Sequence, residues 1–227
     1  MRISHMTLQR DFTPALGIKA LTPLYDIAIA TLTKEQKWRN KLIEQIEPAD
    51  NDRILDVGCG TGTLAENIKR RNGKCEMHGI DPDSDVLEIA IRKMAKANLE
   101  VFFHQGFLSS ERVSELGTFS KIVSSLVFHQ TPLDMKLNIL ETIKVLLRQD
   151  GELHIADYGL QRTKYMRFMF GCTVQLMDGR SDTQPNAEGC MPKLMKEVGF
   201  TNVIESAIIP TLTGSISIYS AKRSESD

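Results

Sequence analysis

Cysteine is scarce in this chain of 227 residues, and none of its four cysteines stands in a C-x-x-C spacing. Neither a zinc site nor a disulfide framework is expected, and a reduced, cytoplasmic setting is the default. Long apolar runs are also missing: nothing approaches the length of a membrane span. The opening residues, Met1 to Arg10, lack the apolar core of a signal peptide. A basic excess is absent as well, with 28 Lys and Arg against 29 Asp and Glu. That balance argues against a nucleic-acid surface, which needs surplus cations to meet phosphates. There is no internal repeat and no low-complexity linker. What remains is 41% hydrophobic and 25% charged, an ordinary composition able to bury the core of one α/β domain over residues 1–227.

Along the chain, short apolar runs alternate with stretches of helical period. Strands are expected over 53–57, 76–80, 100–104, 121–127 and 152–157, with helices over 63–71, 84–97, 110–116 and 133–147. Such alternation builds βαβ units and a parallel sheet, and the strands read as continuously apolar because helices cover both faces. Asp83 or Ser84 is the expected cap of the helix over 84–97. Lys69-Arg70-Arg71 reads as the solvated C-terminal end of a helix, where cations suit the dipole. Before the alternation lie a polar arm (1–19), a helical pattern over 21–32, and a helix over 33–46 opening on a capping box of Thr33 and Gln36. After it, residues 158–190 break the rhythm with methionines and aromatics. A helix over 190–198 ends at Gly199, and two β-rich runs, 201–209 and 215–221, flank a turn.

The most informative stretch joins the first strand to its helix: Leu55-Asp56-Val57-Gly58-Cys59-Gly60-Thr61-Gly62. Glycine there permits unusual backbone angles and close approach of a ligand, and the helix N-terminus beyond offers free N–H groups. A dinucleotide fingerprint would space its glycines G-x-G-x-x-G and needs no acid within the strand. Here the spacing is G-x-G-x-G with Asp56 two residues before Gly58, a place hostile to a diphosphate and welcoming to an ammonium group. Asp81, at the tip of the second strand, suits the two hydroxyls of a ribose. An ammonium and a ribose together describe an aminoacyl nucleoside.

This stretch closely resembles motif I of the class I S-adenosylmethionine-dependent methyltransferases, and the chain is most similar to their small-molecule group, which includes the ubiquinone and menaquinone biosynthesis enzymes. The resemblance runs well over residues 35–157 and loosely beyond. It implies a Rossmann-like three-layer sandwich: a seven-stranded, mostly parallel sheet with an antiparallel last strand. It also implies N-terminal helices over 1–47 as an arm or lid and a helical substrate cap over 158–198, inserted before strand 6. The implied cofactor is S-adenosylmethionine, with S-adenosylhomocysteine as product. Its methionine end would meet Asp56, Gly58, Cys59, Gly60 and Gly62, its ribose Asp81 and Pro82, and its amino-acid portion Ser125 and Leu126. Gly106 and Phe107 would meet the adenine. Here the chain departs from relatives, which often carry Gly-Asp where it has Gly106-Phe107. Phe107 is either a platform for the base or ordinary core. Tyr25 either folds over the cofactor or packs one helix on the domain. His129 is either a general base or a brace for its loop.

Methyltransferases that act on the exocyclic amines of bases or on glutamine amides typically carry an Asn/Asp-Pro-Pro-aromatic cluster where this chain has Ser124 to Pro132, so nucleic-acid amino methylation is disfavoured. The implied reaction is methyl transfer to a small hydrophobic or acidic molecule, with no resident metal. Arg162, Lys164 and Arg167 beside the methionine-rich insert suit an acidic or membrane-adjacent acceptor. The oligomeric state stays open. A catalytically silent binding or scaffold protein is the alternative. A nicotinamide oxidoreductase and a three-thiolate arsenite methyltransferase (Cys75, Cys172, Cys190) rank lower.

Overall fold

The structure, a computed structural model, describes residues 33–224. The expectations for the arm over 1–19, the helical pattern over 21–32 and Tyr25 lie outside the described residues. Five strands run parallel: β1 (Arg53–Val57), β2 (Glu76–Asp81), β3 (Phe102–Gln105), β4 (Phe119–Ser125) and β5 (Leu147–Tyr158). Then come β6 (Thr201–Thr211) and β7 (Gly214–Lys222), with β7 antiparallel to both β5 and β6. The sheet order is β3-β2-β1-β4-β5-β7-β6, the expected seven-stranded sheet with its last strand reversed. Its helices are α1 (Glu35–Ile46), α2 (Thr63–Arg71), α3 (Ser84–Ala97), α4 (Val113–Leu116) and α5 (Leu133–Leu146). The insert contributes α6 (Lys164–Cys172), α7 (Val174–Asp178) and α8 (Arg180–Ala187), and α9 (Met191–Glu197) precedes β6.

Period-two alternation sends neighbouring residues of one strand to opposite faces. Leu55 and Val57 of β1 pack with Ile122, Leu140, Ile143 and Met195 under α5 and α9. Ile54 packs on the other face with Trp38, Leu42, Leu64, Ile68 and Val123 under α1 and α2. Asp56, two residues from Ile54, therefore points to the α1/α2 face. Both faces are covered, as continuously apolar strands require.

Several local expectations shift. α1 starts at Glu35, with Lys34 at the cap position in the left-handed region (φ 51°) and no side-chain cap, instead of at Thr33. Lys69 is buried, not solvated: its Nζ donates to Gly73 O at 2.7 Å and Cys75 O at 2.8 Å, tying down the chain that leaves α2. β4 ends at Ser125 because Leu126 is left-handed (φ 57°) and Phe128–Gln130 winds into a 3-10 turn. β5 begins early, at Leu147, and absorbs the expected Asp150-Gly151 turn as an irregularity with Asp150 at φ 60°. α3 is capped by Asp83, whose Oδ1 accepts from Asp85 N at 2.8 Å.

Candidate active site

The turn from β1 into α2 places three left-handed glycines at alternate positions, Gly58 (φ 72°), Gly60 (φ 50°) and Gly62 (φ 73°). The N–H groups of Gly58 and Cys59 both donate to Ile80 O, at 2.9 and 3.2 Å, folding the turn back against β2. Cys59 is a small filler: a Cβ on Gly79 would come within 2.8 Å of its Sγ. Burial pushes its thiol well above the ordinary range, and the charges of Asp56 and Asp81 add to that, so it has no thiolate chemistry at neutral pH. Around Gly60 the situation differs, since a Cβ there would meet nothing within 4 Å.

Asp81 organises the neighbouring strand tip. Its Oδ2 accepts from Gly60 N at 2.9 Å, its Oδ1 accepts from Asp83 N at 3.0 Å, and its backbone carbonyl accepts from Gly106 N at 2.9 Å. Burial raises its pKa against the pull of those two N–H donors. Gly106 (φ 129°) lies under the Arg112 guanidinium, which a Cβ would touch at 2.8 Å. Phe107 is 52% exposed, so it is not a core residue.

Asp56 is the anomaly. It is 1% exposed, and neither carboxylate oxygen has a hydrogen-bond partner among the described residues. Burial lifts its pKa to about 7, Arg39 opposes the rise, and Asp81 adds to it. Buried polar groups are nearly always paired, so an orphaned carboxylate calls for a ligand cation.

On the far side of the turn, Ser124 Oγ donates to Val57 O at 2.9 Å and Leu126 N donates to Ala156 O at 2.9 Å, fixing the end of β4 with Ser125 at its tip. His129 follows on the 3-10 turn, buried and engaged at both nitrogens. Nδ1 lies 2.7 Å from Asp157 Oδ1, and Nε2 lies 3.5 Å from Asp178 Oδ2 at the end of α7. Burial alone would lower the imidazole pKa, but Asp157 and then Asp178 outweigh it and raise it to about 9. A charged imidazole with both nitrogens occupied has no lone pair with which to accept a proton at neutral pH. Because the folded value exceeds the ordinary 6.5, its stabilisation is complete below pH 6.5 and lost as pH climbs through 9. That shift corresponds to roughly 3 kcal/mol. The expected result is a melting temperature that falls across pH 6.5 to 9 in the native protein and stays flat there in His129→Gln; parallel curves would contradict it.

Two residues that sequence reasoning passed over complete this side. Asp157 is fully buried and accepts from the N–H groups of Phe128 (2.6 Å) and Tyr158 (2.7 Å) as well as from His129. Its signal was an acid at the end of an apolar strand, the same signal that marked Asp81. Lys136 of α5 is also fully buried, its Nζ donating to the carbonyls of Thr131 and Asp182. The insert is thus tied to the loop after β4 by both His129–Asp178 and Lys136–Asp182.

Among the described residues no cluster of His, Cys, Asp and Glu could hold a metal ion, and Cys75, Cys172 and Cys190 do not converge. No helix among them is long and apolar enough to cross a membrane. A groove of about 870 Å³ between α5, α8 and α9, lined by Leu133, Pro185, Cys190 and Lys193, shares no residue with the glycine turn.

Residues 54–151 match a family described as a methyltransferase domain. Among curated proteins, the chain is 37% identical over 129 residues to a ribosomal RNA small subunit methyltransferase C of Buchnera aphidicola, covering 53% of this chain and 36% of that one. A demethylmenaquinone methyltransferase of Thermotoga maritima is 33% identical, over 31% of each chain. A ubiquinone biosynthesis O-methyltransferase of Vibrio campbellii is 21% identical over 74% of this chain and 71% of its own length. The chain therefore spans about a third of the first two of these relatives. Among solved structures, an O-methyltransferase family protein from Burkholderia thailandensis superposes with a TM-score of 0.67 at 16% identity, covering 89% of this chain and 59% of that one. Magnesium protoporphyrin IX methyltransferase of Synechocystis PCC 6803, with S-adenosylhomocysteine bound, superposes at 0.63 with 14% identity and 84% of each chain covered. These likenesses carry the fold.

Proposed function

We propose that the chain is a class I S-adenosylmethionine-dependent methyltransferase, a reading supported by the matching methyltransferase domain and its methyltransferase relatives, and that it binds S-adenosylmethionine over the glycine turn and passes the methyl group to a small acceptor. The observation that carries this reading is Asp56, an acid buried with both oxygens unpartnered beside a turn whose middle glycine faces open space. The cofactor's ammonium fits that carboxylate, and the open side of Gly60 lets the amino-acid chain lie against the backbone. Asp81, with one N–H on each oxygen, keeps lone pairs for a ribose diol. Half-exposed Phe107 offers a face to the adenine, while Pro82, Gly106, Ser125 and Leu126 line the strand tips on either side. A nicotinamide dinucleotide would set its diphosphate against Asp56 and fits poorly.

When bound, the cofactor supplies an electrophilic methyl group on a good leaving group, so the protein's part is alignment and exclusion of water. His129, clamped and charged, braces the loop after β4 against the insert and takes no proton. The acceptor is read as hydrophobic: Tyr165, Phe168, Leu176 and Met177 of α6 and α7 are all exposed, with Leu176 at 80%. Arg162 is paired with Glu205 at 2.5 Å and Arg167 Nε donates to Gln161 O at 3.1 Å, so Lys164 and the remaining N–H groups of Arg167 are the donors an acidic acceptor would meet.

Titration calorimetry with S-adenosylhomocysteine and with NAD tests the proposal. Binding of the first alone is expected; silence toward it rejects the reading in favour of a scaffold. Asp81→Ala should weaken S-adenosylhomocysteine about ten- to a hundredfold, the worth of a charge-assisted hydrogen bond. Unchanged affinity in that variant would remove Asp81 from the site.

A further inference from the structure

Within the insert, α7 is a short helix bounded by two breaks. Thr173 leaves the helical region at φ −118° and ψ −81°, which ends α6. Gly179, at φ 83° and ψ 152°, separates α7 from α8 in a region of backbone space that is essentially glycine's alone. A Cβ on Gly179 would meet nothing within 4 Å, so that joint has room to turn. The two flanking helices are anchored. α6 starts on Thr163, whose hydroxyl accepts from Met166 N at 3.1 Å, and it sets buried Phe170 against Tyr158 with ring centroids 5.2 Å apart. α8 is held by Lys136 Nζ, which donates to Asp182 O, and by Asn186 Nδ2, which donates to Tyr158 O, both at 2.9 Å.

α7 has much less to hold it. Val174 is its buried residue, whereas Leu176 is 80% exposed and Met177 54%. It reaches its neighbours through Gln175, whose Nε2 donates to Gln184 Oε1 at 2.9 Å, and through Asp178, whose Oδ2 lies 3.5 Å from His129 Nε2. The two sides of that imidazole are unequal. Asp157 grips Nδ1 at 2.7 Å from a fully buried position on β5, while the Asp178 side chain is 25% exposed and stands farther off. One buried apolar side chain, a break at each end and a long polar contact are the marks of a segment that opens by itself.

We propose that α7 is a hinged flap, latched onto the loop after β4 by Asp178 and His129, which lifts while α6 and α8 stay seated. Thr173 and Gly179 are its hinges. Lifting draws Val174 out of the core beneath and bares Nε2 of His129. That imidazole stands three residues beyond Leu126, so the loop at the end of β4 gains an opening to solvent on the side of the insert. The flap is a property of the chain itself, whichever nucleoside the glycine turn takes.

The test uses the full chain without ligand. Val174→Cys, made together with Cys172→Ser, puts a reporter thiol on the buried side of the flap, and its alkylation by iodoacetamide is followed by mass spectrometry. Cys75, 1% exposed in the core, is the internal standard for opening of the whole domain. The thiol at position 174 should react at least about a hundredfold faster than Cys75, as local opening outruns global unfolding. Asp178→Asn should speed it by about tenfold more, the worth of one hydrogen bond to a charged group, and Asp178→Glu by less. Hydrogen exchange gives the same answer in a chain without the reporter. There Asp178→Asn should hasten the amides of residues 174–179 and leave those of α6 and α8 unchanged. A thiol at position 174 that reacts no faster than Cys75 overturns the proposal, since α7 would then open only with the domain. Exchange in α7 that ignores Asp178→Asn, or that rises equally in α6 and α8, also overturns it, because the contact would be no latch.

Discussion

Asp56→Asn will make the ligand-free protein more stable at pH 8 and deprive it of its cofactor. In the native protein, burial raises the carboxyl from its ordinary 3.8 to about 7, only partly offset by Arg39. Between those values the folded state holds a proton that the unfolded state has released. Stability therefore falls as pH rises from about 4 to 7 and stays low above that. The shift corresponds to roughly 4 kcal/mol. Asparagine keeps the shape and removes the buried charge. The variant should gain roughly 2–4 kcal/mol at pH 8, about 4–16 °C in melting temperature for a domain of this size, and almost nothing at pH 4. Removing one partner of a buried ion pair costs about 3–5 kcal/mol, so S-adenosylhomocysteine should bind at least about a hundredfold more weakly. Native affinity should itself drop below pH 7, as Asp56 takes up the proton that blocks an ammonium. Melting curves of both proteins from pH 4 to 8, with and without ligand, measure all three effects. An asparagine variant that melts with the native protein at pH 8, or still responds to the ligand, would count against this account.

The second large effect separates two glycines that look equivalent in sequence. At Gly58 (φ 72°) a Cβ would sit 2.3 Å from Val127 Cγ2, so alanine there meets both a disfavoured backbone and a packed neighbour. The left-handed conformation costs about 1–2 kcal/mol and overpacking about 1–3 kcal/mol more. Gly58→Ala should thus lose roughly 2–5 kcal/mol. At Gly60 (φ 50°) the same methyl meets nothing within 4 Å, leaving only the backbone cost of about 1–2 kcal/mol. Gly60→Ala should fold with a small loss, yet bind S-adenosylhomocysteine at least about tenfold more weakly, since the methyl enters the ligand's space. Urea denaturation beside calorimetry resolves the two. Equal destabilisation, or undiminished binding in Gly60→Ala, would mean that the open side of the turn is not where the ligand lies.

Much of the architecture was legible because it is local. β1, α2 and α3 run over the residues their periodicity marks, since an apolar strand entering a glycine turn and a capped amphipathic helix each carry their boundaries in a few consecutive residues. The terminal hairpin was legible for the same reason. What stayed hidden depends on residues far away in the chain. Lys69 reads as a solvated cation and Lys136 carries no local signal at all; only the fold brings carbonyls to their amines, in the second case from Asp182. Left-handed Leu126 shortens β4 by two residues, and no propensity marks a leucine for that conformation. Asp157 became a hub because β5 lies beside β4 and delivers it under His129.

The position of β7 bears on how the chain is made. β6 leaves the ribosome first, but among the described residues its only strand partner is β7, which follows it. Until then the nascent chain carries an unpaired β6 edge with Ile204, Ile208 and Ile209 along it. A pause after β6 has emerged from the ribosome and before β7 follows would prolong that exposure and invite association between growing chains.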